Sequence, residues 1–152
     1  MKQAHPTIIP GLRSPYDEIG GIVYFARMLD KIRLHAQGKL PPAWVKAKGT
    51  KSQNLFDARC CRFFGIDYHA LECETLRGRN DDEMLTWSIT HGCRRSNDAI
   101  EIWNAFMTKR GWRDSATPRL NELLTDIGLP PGTVATLFDF IDLDEGRPPR
   151  YA

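Results

Sequence analysis

The sequence is divided into short amphipathic segments, most of which end at a glycine. Residues that cap helix N-termini precede several segments, and apolar residues recur within them at helical spacing. Glycine readily adopts the left-handed conformation that ends a helix, so these glycines predict helix C-termini. They are Gly38, Gly65, Gly78, Gly92, Gly111 and Gly128. The pattern predicts an all-α, single-domain bundle of about seven helices, and no segment shows the alternation typical of a strand.

The longest predicted helix runs from Ser14 to Gly38 and should lie at the centre of the bundle. Ser14 fits the N-cap position and Pro15 the first helical position, where its missing N–H costs nothing. The apolar side of this helix is broad, so several other helices should cover it. Gly20 and Gly21 fall in its middle, where we expect the close approach of another backbone rather than a kink.

The other elements follow from the same signals. The six shorter helices are predicted at 52–64, 67–77, 80–92, 96–110, 117–128 and 132–143. Asp67, Asn80 and Ser96 are their clearest N-caps, although Asn97 is an alternative to Ser96, and Glu83 completes a capping box with Asn80. The predicted division of the chain is an extended arm at 1–13, the helical domain at 14–147 and a tail at 148–152.

Arg27, Asp30 and Arg33 form a charged ladder on the predicted central helix. Their spacing lets each side chain reach the next, so Asp30 can hold both guanidinium groups. The structural interpretation is an ion network that stabilises the fold, and it is the one we favour. The functional interpretation is an arginine pair that binds an anionic ligand or a partner's carboxylate.

Charge is unevenly distributed, although the 152-residue chain has a net charge of only +2. Nine Lys or Arg and two Asp lie between Arg27 and Arg62, whereas six acids and one Arg lie between Asn121 and Arg147. The simplest explanation is that the acidic part packs near the basic part, and the alternative is two faces for different partners. The acidic tail residues, which are the expected partners of the ladder, are Asp142, Asp144 and Glu145.

A basic loop at 39–51 surrounds a tryptophan. Its candidate nucleic-acid contacts are Lys39, Trp44, Lys46, Lys48 and Lys51. Lysines beside an aromatic ring can bind phosphates and stack a base. The structural interpretation, which we favour because one aromatic residue is weak evidence for a stacking site, is a solvated connector whose Trp44 fills the edge of the core.

The sequence predicts no metal site, no cofactor and no catalytic residue. A zinc site can be drawn from His69, Cys73, His91, Cys93 and Cys60 or Cys61, but paired ligands at tight spacing are missing. A calcium loop that begins at Asp142 lacks the required glycine and twelfth ligand. No nucleophile elbow or phosphate-binding glycine loop is present, and a Cys–His pair, for example Cys93 with His91, is left open as a nucleophilic site.

The four cysteines follow no secreted disulfide pattern, and no signal peptide or membrane-spanning run is visible. We therefore expect a cytoplasmic protein with reduced thiols.

Four segments resemble a bacterial family of domains of unknown function: RSPYDEIGGIVYFARMLDKIR, FFGID, IEIWNAF and FDFIDLDEGR. The resemblance covers nearly the whole chain, and its first and last segments are the most specific. It implies a small, mostly helical, single-domain protein and carries no activity.

Three functions follow as expectations. The first is a non-catalytic binding or interaction module, with a homo-oligomer or another protein as its partner. The second is a nucleic-acid-associated protein that uses the 39–51 loop together with Arg62. The third is a small enzyme with an Arg- and Asp-lined pocket beside the central helix.

Overall fold

A computed structural model of the protein describes residues 5–151. Within that range the chain forms one helical domain with eight helices and one very short β-hairpin. The strands are β1 (Glu18–Ile19) and β2 (Ile22–Val23). The helices are α1 (Phe25–Ala36), α2 (Pro42–Lys46), α3 (Phe56–Phe64), α4 (Tyr68–Thr75), α5 (Asp81–His91), α6 (Asn97–Lys109), α7 (Thr117–Asp126) and α8 (Leu137–Asp144). The prediction of a mostly helical single domain is confirmed.

Helix α1 lies at the centre of the molecule, as the breadth of its apolar side predicts. All eight of its residues from Phe25 to Ile32 are buried, including three charged ones. The hairpin, α2 and α4 pack against it. Gly38 follows the helix with a φ of 69°, and the N–H of Lys39 donates to the carbonyl of Leu34 at 2.9 Å. The predicted C-terminus of the central helix is therefore confirmed.

The N-terminal half of the predicted central helix is wrong, because the helix begins at Phe25 and not at Ser14. Gly20 and Gly21 have φ values of 60° and 76°, which a right-handed helix does not allow. They form the turn of the hairpin, in which Glu18 pairs with Val23. Ser14 lies in a separate turn, where its hydroxyl accepts from the N–H of Tyr16. The expectation that the chain has no strand is corrected by the same hairpin.

Most other helix boundaries follow the predicted capping signals. The side chains of Asp67 and Ser96 cap α4 and α6, and Asn80 forms a reciprocal capping box with Glu83 at α5. Helix α3 begins at Phe56 instead of residue 52. Helix α8 begins after the cap Thr136 instead of near residue 132.

The 39–51 segment is not only a loop, since it contains the short helix α2. Residues 9–12 of the predicted arm pack against it and against α1, through Ile9, Leu12, Leu34, Leu40 and Trp44. The first four residues of that arm and the last residue of the predicted tail, Ala152, lie outside the described residues. Within residues 5–151, no helix is long and apolar enough to cross a membrane.

Candidate functional site

A cavity of about 800 Å³ lies beside α1. Its walls come from α1, α2, α7, α8 and the first residues of α3, so segments distant in sequence meet around it. Buried charged and polar groups of α1 and α8 form its inner side, and exposed residues of α2 and α7 form its mouth. The inner residues that matter chemically are Tyr24, Arg27, Lys31 and Glu145.

A two-point ion pair joins α1 to the end of α8 on the inner side of the cavity. Arg27 donates to the two carboxylate oxygens of Glu145 at 2.9 and 2.6 Å. The indole N–H of Trp44 donates to the same carboxylate at 2.9 Å, and Arg147 donates at 2.6 Å. Burial raises the pKa of Glu145, but the bonds and charge of Arg27, with help from Trp44 and Arg147, outweigh burial and hold that pKa below its usual value.

A second buried ion pair lies one helical turn further along α1. The Nζ of Lys31 is 2.8 Å from Asp57, and it donates to the hydroxyl of Tyr24 at 2.9 Å and to the carbonyl of Ala47 at 3.2 Å. Asp57 also accepts from the Tyr24 hydroxyl at 2.7 Å and from the Gly49 N–H at 2.7 Å. Burial lowers the pKa of Lys31, and the facing carboxylate of Asp57 opposes that lowering.

Tyr24 holds an unusual backbone conformation where the hairpin meets α1. Its φ is 76° and its ψ is −29°, a left-handed conformation that is costly for a bulky residue. The ring is 2% exposed and packs beside Phe56 and Phe138, and its hydroxyl contacts both Lys31 and Asp57. Packing and hydrogen bonds therefore fix the strained residue at the inner side of the cavity.

The mouth of the cavity is basic. Lys46 is exposed and forms no ion pair within residues 5–151. Arg110 pairs with Asp114 at 3.3 Å, and Arg119 pairs with Glu122 at 3.1 Å in a strongly exposed pair. An exposed pair such as Arg119–Glu122 is weak, so the guanidinium group of Arg119 can exchange its partner for a ligand.

The predicted Arg27–Asp30–Arg33 ladder is divided between two networks. Asp30 does contact two guanidinium groups, but they belong to Arg13 at 2.9 Å and Arg33 at 3.8 Å. Asp81 completes this second network through Arg13 at 2.8 Å and Arg33 at 2.9 Å. Arg27 instead reaches the cavity and Glu145. The expectation that Asp30 links Arg27 to Arg33 is therefore wrong.

The acidic tail residues are also separated by the fold. Glu145 contacts Arg27, whereas Asp144 lines the cavity and lies 3.1 Å from His5. Asp142 is buried and lies 3.3 Å from Arg147. Burial raises the pKa values of both Asp142 and Asp144.

The side chains of the 39–51 segment do not form one surface. Trp44 is only 7% exposed and its N–H is used by Glu145. Lys48 lies 2.5 Å from Glu72 and over the ring of Tyr68. Lys39, Lys46 and Lys51 are exposed. The tryptophan therefore presents no ring face on which a base could stack.

Within residues 5–151, no group of three or more His, Cys, Asp or Glu side chains is arranged to hold a metal ion. His69 and Cys73 are neighbours on α4, with 3.7 Å between Nε2 and Sγ. All four cysteines are unpaired.

Sequence reasoning did not single out Lys31, Asp57, Tyr24, Arg110 or Arg119. Lys31 follows Arg27 by four residues, so the two side chains share one helix face, and that spacing was the available signal. Asp57 and the two mouth arginines come from other helices, and only the packing of those helices against α1 brings them to the cavity.

The fold and the site define a small helical domain with a cavity beside its central helix, whose inner side carries buried ion pairs. The model of a family described as a domain of unknown function (DUF5069) matches residues 9–147. The chain therefore belongs to this family, which agrees with the resemblance that the sequence carries over nearly its whole length. No curated protein matches the chain.

Proposed function

We propose that this protein is a non-catalytic module that binds a small organic acid in the cavity beside α1. The observation that carries the proposal is the cavity itself, whose volume of about 800 Å³ falls in the range of ligand pockets. Apolar side chains such as Leu123, Leu137 and Phe140 line much of its wall. Such a wall suits the body of an organic ligand.

The basic mouth supports an acidic ligand. Lys46, Arg110 and Arg119 all line the cavity, and Lys46 forms no ion pair within residues 5–151. A planar carboxylate or phosphate can be held by a guanidinium group at two points, which gives both affinity and orientation.

The inner side of the cavity supports binding over catalysis. Buried ion pairs cost desolvation energy, and apolar residues of similar volume are often at least as stabilising. Two such pairs beside one cavity therefore favour a functional role for the polar wall. The three protons of the Lys31 ammonium group already have acceptors in Tyr24, Ala47 and Asp57, so this amine is not presented as a free nucleophile.

The proposal is tested by thermal unfolding in the presence of benzoate, octanoate and phenyl phosphate, with benzamide as the uncharged match for benzoate. A ligand that binds only the folded state raises the melting temperature in a saturable way. We expect the acids to do so and benzamide to have little effect. Absence of a saturable shift with every acid, or an equal shift with benzamide, would overturn the proposal.

Variants separate the cavity from general charge effects. Arg119→Gln and Lys46→Gln should weaken binding of the effective acid, and Leu123→Trp should abolish it by filling the cavity. Arg77→Gln is the matched control, because Arg77 is an exposed arginine that follows α4, pairs with Glu74 and does not line the cavity. Calorimetric titration of each variant gives the affinity directly. If the Leu123→Trp protein folds and binds the acid with unchanged affinity, the acid does not bind in this cavity.

The 39–51 segment gives weaker support for nucleic-acid binding, since its tryptophan is buried. A cytoplasmic location is part of the proposal and is supported by the four unpaired cysteines.

A further inference from the structure

A surface of exposed aromatic and basic side chains lies on the opposite side of α3 and α6 from the buried core. Ile102 and Phe106 are 62% and 40% exposed on successive turns of α6, and Trp112 is 50% exposed just after that helix. Large exposed apolar side chains that occur together usually mark an interaction site.

Arginines lie close to the two aromatic rings of this surface. The guanidinium groups of Arg59 and Arg110 lie 5.3 and 5.5 Å from the centre of the Phe106 ring. Arg113 lies 5.0 Å from the centre of the Trp112 ring. The contact between Arg59 and Phe106 brings α3 and α6 together on one surface, and Trp112 and Arg113 follow Arg110 directly in the chain after one glycine. We call this set of residues the Arg–aromatic surface: Arg59, Arg62, Phe106, Arg110, Trp112 and Arg113.

This surface carries an excess of positive charge. Within residues 5–151, only Arg110 of its four arginines forms an ion pair, with Asp114 at 3.3 Å. Partial burial lowers the pKa of Arg59, and the nearby charges of Arg110 and Arg62 lower it further. Like charges held this close are unfavourable in the isolated protein, and an anionic partner would relieve the repulsion.

We propose that the Arg–aromatic surface binds single-stranded nucleic acid, with the arginines on phosphates and with Trp112 as the stacking platform for a base. Interleaved cations and exposed aromatic rings are the combination that binds single strands without sequence readout. A peptide of acidic residues alone would satisfy the arginines but offers no flat ring to stack on Trp112, whereas every nucleotide carries both a charge and a ring, so the exposed aromatics favour nucleic acid.

The Arg–aromatic surface and the cavity are formed by different residues, and they are proposed to bind different ligands. Of its members only Arg110 also lines the cavity. Arg59, Arg113 and Trp112 therefore test the surface without changing the cavity, and Arg119 and Leu123 test the cavity without changing the surface.

The test is fluorescence anisotropy with a labelled oligothymidylate of about 15 nucleotides, long enough to span one binding surface. If four arginines contact phosphates, the logarithm of the binding constant should fall with the logarithm of salt concentration with a slope of about −3, and Arg59→Gln or Arg113→Gln should reduce the slope to about −2. Trp112→Ala should weaken binding by about fivefold or more through the loss of one stacked base.

Three comparisons make the result decisive. Arg77→Gln removes an exposed arginine elsewhere and should change neither affinity nor slope beyond the small effect of net charge. Arg119→Gln should likewise retain oligonucleotide binding. Circular dichroism and the melting temperature establish that each variant is folded. If one of the Arg59→Gln and Arg113→Gln proteins does not fold, the other still tests the contribution of the arginines.

The proposal is overturned if oligothymidylate does not bind at low salt, or if folded Arg59→Gln, Arg113→Gln and Trp112→Ala proteins all bind as the natural protein does. Equal affinity for polyglutamate of the same charge would also overturn it, because it would show a polyanion site with no contribution from stacking.

Discussion

Arg27 and Glu145 are 118 residues apart in sequence and meet in a two-point ion pair that is almost completely buried. The pair connects the central helix to the end of the last one. It also lies on the wall of the cavity, next to Trp44 from α2. One contact therefore joins three distant parts of the chain and shapes the inner side of the candidate site.

Removal of either partner of this pair should be strongly destabilising. Glu145→Gln or Arg27→Met leaves a buried group without its two-point partner, and we expect each to lower the free energy of unfolding by about 3–5 kcal/mol. The double variant should cost much less than the sum of the two, because neither charge is then left alone. Urea unfolding followed by circular dichroism measures all three. Additive costs would contradict direct coupling.

A surface pair provides the control for that cycle. Arg119 and Glu122 lie at 3.1 Å with side chains 62% and 65% exposed. Glu122→Gln should therefore change the free energy of unfolding by less than about 1 kcal/mol. A loss as large as that of Glu145→Gln would show that burial is not the cause of the difference.

The contribution of the Glu145 carboxylate to the stability of the folded protein should decrease at acidic pH. Its pKa in the folded protein lies below the usual value of 4.5, so the unfolded chain binds this proton more readily. The stabilisation by the carboxylate is fully present above about pH 4.5 and is lost as pH falls through the lower folded-state pKa. The difference in unfolding free energy between the natural protein and Glu145→Gln should therefore shrink below pH 4.5. A difference that stays constant from pH 6 to pH 3 would contradict this linkage.

The sequence could predict that oppositely charged regions of the chain meet, but it could not predict which side chains pair. Spacing along one helix favours an ion pair between Arg27 and Asp30, since the two residues are three positions apart. In the folded protein Asp30 pairs with Arg13 and Arg33 pairs with Asp81, and both of these partners lie outside α1. Arg27 pairs with Glu145 instead. Pairings between elements depend on packing, which has no local signature.

The rates at which the four cysteine thiols react should follow their burial in the folded protein. Burial raises the pKa of Cys61 to about 12 and that of Cys60 well above its usual value, whereas Cys73 is exposed. At pH 8 an aromatic disulfide reagent should modify Cys73 quickly, half-buried Cys93 more slowly, and Cys60 and Cys61 only after unfolding. Cys73→Ser should remove the fast phase. Rapid modification of all four thiols in the folded protein would contradict this arrangement.

The predicted and observed starts of α1 differ because local helix signals were outweighed by two glycines. Ser14 and Pro15 together resemble a helix N-terminus, yet Gly20 and Gly21 supply two consecutive left-handed residues at little steric cost. The turn returns the chain on itself, and Ile19, Ile22 and Val23 are then buried against the core. Such a hairpin has two residues per strand, too few for an alternating pattern to be visible in sequence.

Alanine substitutions at the two glycines distinguish the hairpin from a continuous helix. In a helix, Gly→Ala would stabilise the protein by about 1 kcal/mol at either position. In the hairpin, Gly21→Ala should destabilise by about 1–2 kcal/mol, because its φ is 76° although its added Cβ would meet no atom. Gly20→Ala should cost more, since its Cβ would also lie 2.5 Å from Leu85 Cδ2, and Leu85→Ala should recover part of that extra cost. Urea unfolding gives the sign of the change in the free energy of unfolding. Stabilisation at both positions would contradict the hairpin and support a continuous helix from Ser14.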